Sequence, residues 1–156
     1  MFHRAAASKL VFTSRNGTPM AMNEFTISLP IADRSKSLAF YCDAFEFEPM
    51  GTPTEDGVPE PLQFRLDQRT VLLLIPTGGF GWVLGGRATA SPDVSECLLS
   101  FTVTSTQEVE TIVERVRGAG GQVIAEPSHK DWVYTAICTD LDGHAWNITT
   151  ASTSDS

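Results

Sequence analysis

Phe25-Thr-Ile-Ser-Leu-Pro-Ile31, followed by Asp33-Arg-Ser-Lys-Ser-Leu-Ala-Phe-Tyr41, reads as a strand that runs into a capped helix. The chain repeats that plan 72 positions later, as Cys97-Leu-Leu-Ser-Phe-Thr-Val103 and then Ser105-Thr-Gln-Glu-Val-Glu-Thr-Ile-Val113. In the first copy Phe25, Ile27, Leu29 and Ile31 alternate with Thr26, Ser28 and Pro30, the period of a half-buried strand. Asp33 is a helix N-cap, and Leu38, Tyr41, Cys42 and Phe45 recur at helical spacing behind it. In the second copy Ser105 and Glu108 have the spacing of a capping box. Val109, Ile112, Val113 and Val116 form the apolar stripe, and Gly118-Ala-Gly-Gly121 stops the helix. Strand-like runs follow each helix: Phe47–Thr54, Leu62–Leu66 and Thr70–Pro76 in the first half, Gln122–Glu126, Trp132–Thr139 and His144–Thr150 in the second. A strand-helix-strands unit used twice predicts an α+β fold of two βαβββ modules forming an incomplete barrel around a cleft.

The predicted boundaries are residues 24–77 for the first module, 78–95 for a linker and 96–150 for the second. Residues 1–23 read as a disordered or non-native extension, with Met20 or Met22 as an alternative start, and 151–156 as a loose tail. The linker region is rich in glycine yet carries Phe80, Trp82, Val83 and Leu84. That combination points to a lid, a subunit contact or plain packing against the sheet.

At 156 residues the chain is one domain with room for a substantial core. Its formal charge of −8 argues against nucleic acid and anionic membrane as partners, because phosphate recognition needs clustered Lys and Arg. The same balance mildly favours a neutral or cationic ligand. Cys42, Cys97 and Cys138 have no metal-like spacing and sit in or beside apolar runs, as free thiols of a reducing, cytoplasmic protein would. No apolar run reaches the length of a membrane span.

The first-strand pattern with Asp33, Ser37 and Phe40-Tyr41, together with Asp140-Leu-Asp-Gly-His-Ala-Trp146, resembles the vicinal oxygen chelate superfamily. That superfamily includes glyoxalase I, bleomycin-resistance proteins and extradiol dioxygenases. The nearest look is to its small members described as glyoxalase-like or predicted lactoylglutathione lyases. The resemblance spans roughly residues 24–150 and implies paired βαβββ modules around a pocket, and a homodimer whose second subunit closes each pocket. It also implies a divalent metal, held by His and Glu side chains from the first and last strand of each module. Carried over residue by residue, those positions fall on Thr26 and Leu73 in the first module and on Leu98 and Asn147 in the second. Two leucines, a hydroxyl and an amide do not replace the hydration shell of a divalent ion. The expectation is therefore no metal and no cofactor, which removes the Lewis acid on which the superfamily's chemistry runs.

Other candidates have structural readings. Asp140 and Asp142 flank a tight turn in which aspartate bonds its own backbone, and His144 belongs to the same turn. His129 lies in a loop that borders the cleft, and His3 lies in the extension. Alternation directs Thr26 and Ser28, Val71, Leu73 and Ile75, Leu98, Ser100 and Thr102, and Ala145, Asn147 and Thr149 toward the cleft. Gln63 and Arg65 share a strand face at its mouth, and Trp132 and Tyr134 are candidate stacking platforms. The ligand-binding set is thus Thr26, Ser28, Leu73, Leu98, Ser100, Asn147, Trp132 and Tyr134. Three functions remain open: a metal-free binder of a small apolar, aromatic or cationic molecule; a glyoxalase-like lyase or isomerase, or dioxygenase-related enzyme, with a displaced metal; and a structural dimer whose pocket has decayed.

Overall fold

The computed structural model describes residues 11–13, 19–21 and 23–151. The expected disordered extension and tail fall largely on residues 1–10, 14–18, 22 and 152–156, outside the described set. Within the extension, β1 (Val11–Thr13) and β2 (Pro19–Ala21) pair antiparallel.

The first half then runs β3 (Phe25–Ile31), α1 (Arg34–Phe45), β4 (Leu62–Arg65) and β5 (Thr70–Pro76). After α2 (Thr77–Val83), the second half runs β6 (Leu98–Val103), α3 (Thr106–Gly118), β7 (Gln122–Lys130), β8 (Val133–Thr139) and β9 (Ala145–Thr150). The halves make separate sheets, ordered β3-β5-β4 and β6-β9-β8-β7. In each, the first strand lies parallel to the last and at an outer edge, so the duplicated sequence plan becomes a duplicated topology.

The helix boundaries follow from their caps. Asp33 keeps extended backbone and accepts the Lys36 N–H at 3.0 Å, while Ser105 and Glu108 complete the predicted capping box. Gly121 follows α3 where a Cβ would stand 2.5 Å from the Thr139 carbonyl and 2.8 Å from the Phe40 ring, so only glycine allows that approach. Both helices cover one face of the sheets. The core they enclose is continuous through both halves, with Phe40, Tyr41 and Phe45 of α1 meeting Val109, Val113 and Val116 of α3 in one cluster. Phe45 packs at a tilt on Trp146 of β9 at 5.1 Å and edge-on against Phe101 of β6 at 5.4 Å, while Tyr41 meets Phe64 of β4 at 5.4 Å. The first-half helix therefore belongs to the packing of both sheets.

Three expectations change. Phe47–Thr54 is not a strand: only the isolated bridges Pro49↔Phe64 and Pro53↔Pro59 form there. Pro49 and Pro53 lack the N–H groups a ladder needs, and Glu46 turns the chain with φ of 57°. The linker is also partly regular, since α2 occupies Thr77–Val83 and is tied to β3 by the Thr77 hydroxyl donating to the Ile31 carbonyl at 3.0 Å. The buried stripe of α1 includes Phe40 and Ala44, with Leu38 and Cys42 at its margin, because α3 and the aromatic cluster meet it from two sides. Among the described residues no helix is long and apolar enough to cross a membrane.

Candidate functional site

The faces turned away from the helices carry six of the eight predicted positions, Thr26, Ser28, Leu73, Leu98, Ser100 and Asn147. In the first sheet, register sets Thr26 beside Val71 and Val71 beside Arg65 in one rung, and Ser28, Leu73 and Gln63 in the next. In the second sheet, Leu98, Ala145 and Thr139 form one rung, Ser100, Asn147 and Ile137 the next, and Thr102, Thr149 and Thr135 the third. The alternation read from the sequence thus sets which side chains share a face in β3, β5, β6 and β9. Leu98 is 52% exposed, and Thr26, Ser100 and Thr102 are exposed as well.

Thr26, Ser28 and Leu73 therefore share one sheet face, and Leu98, Ser100 and Asn147 share another. The contacts that join the halves run through α1, α3 and the aromatic core, on the opposite faces. Trp132 stands at the tip of the β7–β8 hairpin, 69% exposed, beside Asp131 at φ of 50°. Tyr134 lies with Ala136 and Cys138 on the helix side of β8. Its hydroxyl donates to Glu110 of α3 at 2.9 Å, which raises its pKa, and its ring packs on His129 at 4.8 Å. Tyr134 is thus on the face opposite Asn147.

Thr135, absent from the predicted set, donates its hydroxyl to Asn147 Oδ1 at 2.5 Å. It fixes the amide on the outward face. The signal was present in Thr135, Ile137 and Thr139, which alternate with the apolar Ala136 and Cys138.

The four positions that the resemblance assigns to a metal are neutral. Thr26, Leu73, Leu98 and Asn147 offer two aliphatic side chains, one hydroxyl and one amide already engaged by Thr135. That set does not fit a divalent ion. Among the described residues no group of three His, Cys, Asp or Glu side chains is placed to hold a metal.

The titratable cluster lies in the β8–β9 turn and is part of the scaffold. Asp140 is 3% exposed, and its Oδ2 accepts from the Tyr41 hydroxyl at 2.6 Å and meets His144 Nδ1 at 2.7 Å. Its Oδ1 accepts the N–H groups of Asp142 and His144, both at 2.9 Å. Burial alone would raise the Asp140 pKa. The hydrogen bond and charge of His144, with the hydrogen bonds of Tyr41 and the His144 N–H, outweigh it and hold the carboxyl below the ordinary range. The Tyr41 hydroxyl, itself pushed well up by burial and then by the Asp140 charge, also accepts from Trp146 Nε1 at 3.3 Å. Asp142 Oδ1 accepts the Ala32 N–H at 2.8 Å, so two aspartates of one turn in the second half hold the first half in place.

A sequence model of the family described as Glyoxalase/Bleomycin resistance protein/Dioxygenase superfamily matches residues 23–148. Among solved structures, hypothetical protein SA1046 from S. aureus is similar at 28% identity, over 85% of this chain and 95% of that one, with a TM-score of 0.70. A glyoxalase-related enzyme from Fulvimarina pelagi matches at 22% identity over 81% and 86% of the two chains, with a TM-score of 0.69. A glyoxalase/bleomycin resistance protein/dioxygenase family enzyme from Burkholderia phytofirmans PsJN matches at 16% identity over 80% and 95%, with a TM-score of 0.63. The last two likenesses speak to the fold alone. Among curated proteins, none matches the chain.

Proposed function

Since the chain belongs to the Glyoxalase/Bleomycin resistance protein/Dioxygenase superfamily, we propose that it works as a metal-independent binder of a small apolar or aromatic molecule on its outward sheet faces. The observation that carries this reading is the donor set. Where the superfamily resemblance implies metal ligands, this chain has Thr26, Leu73, Leu98 and Asn147, and Thr135 already holds the amide oxygen. Leu73, Ile75, Leu98 and Ile137 supply apolar area, and Ser28, Gln63, Ser100 and Asn147 supply neutral hydrogen-bonding groups between them.

Two copies complete the site. β3 and β6 are the outer strands of their sheets among the described residues, and β6, reading Leu-Leu-Ser-Phe-Thr-Val, has neither charge nor proline to block pairing. A homodimer that joins such edges sets the first-half face of one copy beside the second-half face of the other, with the ligand between them.

The test is made on protein purified without chelator. Zinc, nickel, iron and manganese are expected far below one per chain, and EDTA should leave the melting temperature unchanged. Fluorescence titration with 2-naphthamide should saturate, Ser100→Arg should abolish the binding, and sedimentation should give a dimer. A metal near one per chain whose removal lowers the melting temperature would overturn the metal-independent reading and favour an enzyme with a displaced metal. A monomer that does not bind the probe would favour a decayed pocket.

A further inference from the structure

We propose that Arg65 anchors an oxyanion, a carboxylate in the first instance, on the small molecule taken by the three-stranded face. This rests on the binding reading above and gives the ligand a charge. The register places Arg65 opposite Val71, whose other neighbour is Thr26, so its side chain starts on the outward face at the far strand. From there Nη2 reaches Glu24 Oε2 at 3.2 Å, just before β3 on the other side of β5. The guanidinium therefore lies across the face, over the rung of Val71. The rung beside it presents Ser28, Leu73 and Gln63.

The Glu24 pair is a poor final use for that guanidinium. It engages one nitrogen, both side chains are about half exposed, and such pairs are held loosely in water. A guanidinium has five N–H donors in a planar fork, matched to two oxygens of a carboxylate. No other acceptor for Arg65 is found among the described residues. Arg34 shows the contrast: Asp56, Glu60 and the carbonyls of Val58 and Pro59 occupy it in a structural role.

The charge pattern points the same way. The whole chain is acidic, at −8, but the strand positions on the outward faces hold no acid, and their charged residues are Arg65 and, at the end of β7, Lys130. The overall charge favours a cation, whereas the carboxylate that borders the three-stranded face, Glu24, is already paired with Arg65. A ligand carboxylate displaces Glu24 as the partner of Arg65, and its apolar body lies on Leu73 between Ser28 and Gln63.

The experiment titrates the full chain at pH 7 with 2-naphthoate, 2-naphthamide and 2-naphthylmethylammonium, which share a ring system and differ in charge. Naphthoate should bind about tenfold more tightly than the amide, and the ammonium most weakly. Arg65→Gln should erase the naphthoate preference while leaving amide affinity and melting temperature in place. Glu24→Gln, which removes the competing carboxylate, should strengthen naphthoate binding. Added salt should reduce the naphthoate advantage and leave the amide unaffected. Equal binding of naphthoate and amide, or a naphthoate preference that survives Arg65→Gln, overturns the anchor and leaves the binding reading standing. If none of the three compounds binds, both fall.

Discussion

Tyr41→Phe and Asp140→Asn, made singly and together, test whether the β8–β9 turn locks the two halves of the molecule. Tyr41→Phe deletes the hydroxyl that donates to Asp140 at 2.6 Å and accepts from Trp146 Nε1 at 3.3 Å. A hydrogen bond to a charged group contributes about 1.5–3 kcal/mol, and this one is buried, so the loss should be about 2 kcal/mol. Asp140→Asn keeps the size of the side chain and one oxygen for the N–H groups of Asp142 and His144. It presents an amide where Tyr41 and His144 meet a carboxylate. Its cost should be about 2–4 kcal/mol, because the buried partners remain while the charge they were arranged around is gone. If the pair acts as one unit, the double variant loses less than the sum, with a coupling of about 1–2 kcal/mol.

Urea unfolding followed by tryptophan fluorescence measures all four corners of the cycle, with Trp146 in the core as a native reporter. A pH series adds an independent readout. Burial works against the Asp140 carboxylate, but the hydrogen bond and charge of His144 and the Tyr41 bond dominate, and the folded-state pKa is depressed. A depressed carboxylate contributes stability that is fully present above its unfolded pKa of about 4 and is lost as pH falls through the folded value. The gap between the parent chain and Asp140→Asn should therefore hold steady near neutrality and close below about pH 4. Additive single effects, or a gap unchanged at acid pH, would refute the lock.

The neighbouring carboxylate should behave in the opposite sense. Burial, with the Asp140 charge adding to it, raises the Asp142 pKa, so ionising Asp142 costs stability above its folded pKa and the cost disappears as pH falls through it. Asp142→Asn keeps an oxygen for the Ala32 N–H and should match or exceed the parent in stability at pH 7 by up to about 1 kcal/mol, with no advantage once the parent is protonated. A loss of stability at pH 7 would count against that account. Gly143→Ala should be severe. Gly143 has φ of 88°, and a Cβ there would stand 1.9 Å from the Pro92 carbonyl oxygen, so the linker must move as well as the turn. A loss of about 3 kcal/mol or more, roughly 6–12 °C in melting temperature, is expected; a drop under about 2 °C would show that the linker gives way freely.

Those residues also show what could be read in advance. The alternation of β3 and β6 and the caps Asp33 and Ser105 are local signals, and each appears where the sequence placed it. Asp140-Leu-Asp-Gly143 was legible as a turn, because aspartate and glycine satisfy turn geometry on their own. That its carboxylates reach Tyr41 and Ala32, about a hundred residues away, was not, since a tertiary bond leaves no periodicity. The failure at Phe47–Thr54 is of another kind. The apolar content looked strand-like, but Pro49 and Pro53 withhold the donors, and the segment is reduced to bridges.

The candidate site divides along the same line. Which side chains share a face depends only on period two, so Thr26, Ser28 and Leu73 on one sheet, and Leu98, Ser100 and Asn147 on the other, follow from parity. Tyr134, offered as a stacking platform rather than placed by alternation, lies on the helix side, and the polar Thr135 takes the outward position with Asn147 as its partner. Charge behaves differently again. The total of −8 is a sum over the surface, and it conceals that the strand positions on the outward faces carry only cations. A ligand responds to the nearest groups more than to the total, because at physiological ionic strength charges beyond about 8 Å are largely screened. Once the register is known, the guanidinium of Arg65, held only by the half-exposed Glu24, therefore weighs more than the global charge. The inference about ligand charge reverses accordingly, from a cation favoured by composition to an oxyanion favoured by position.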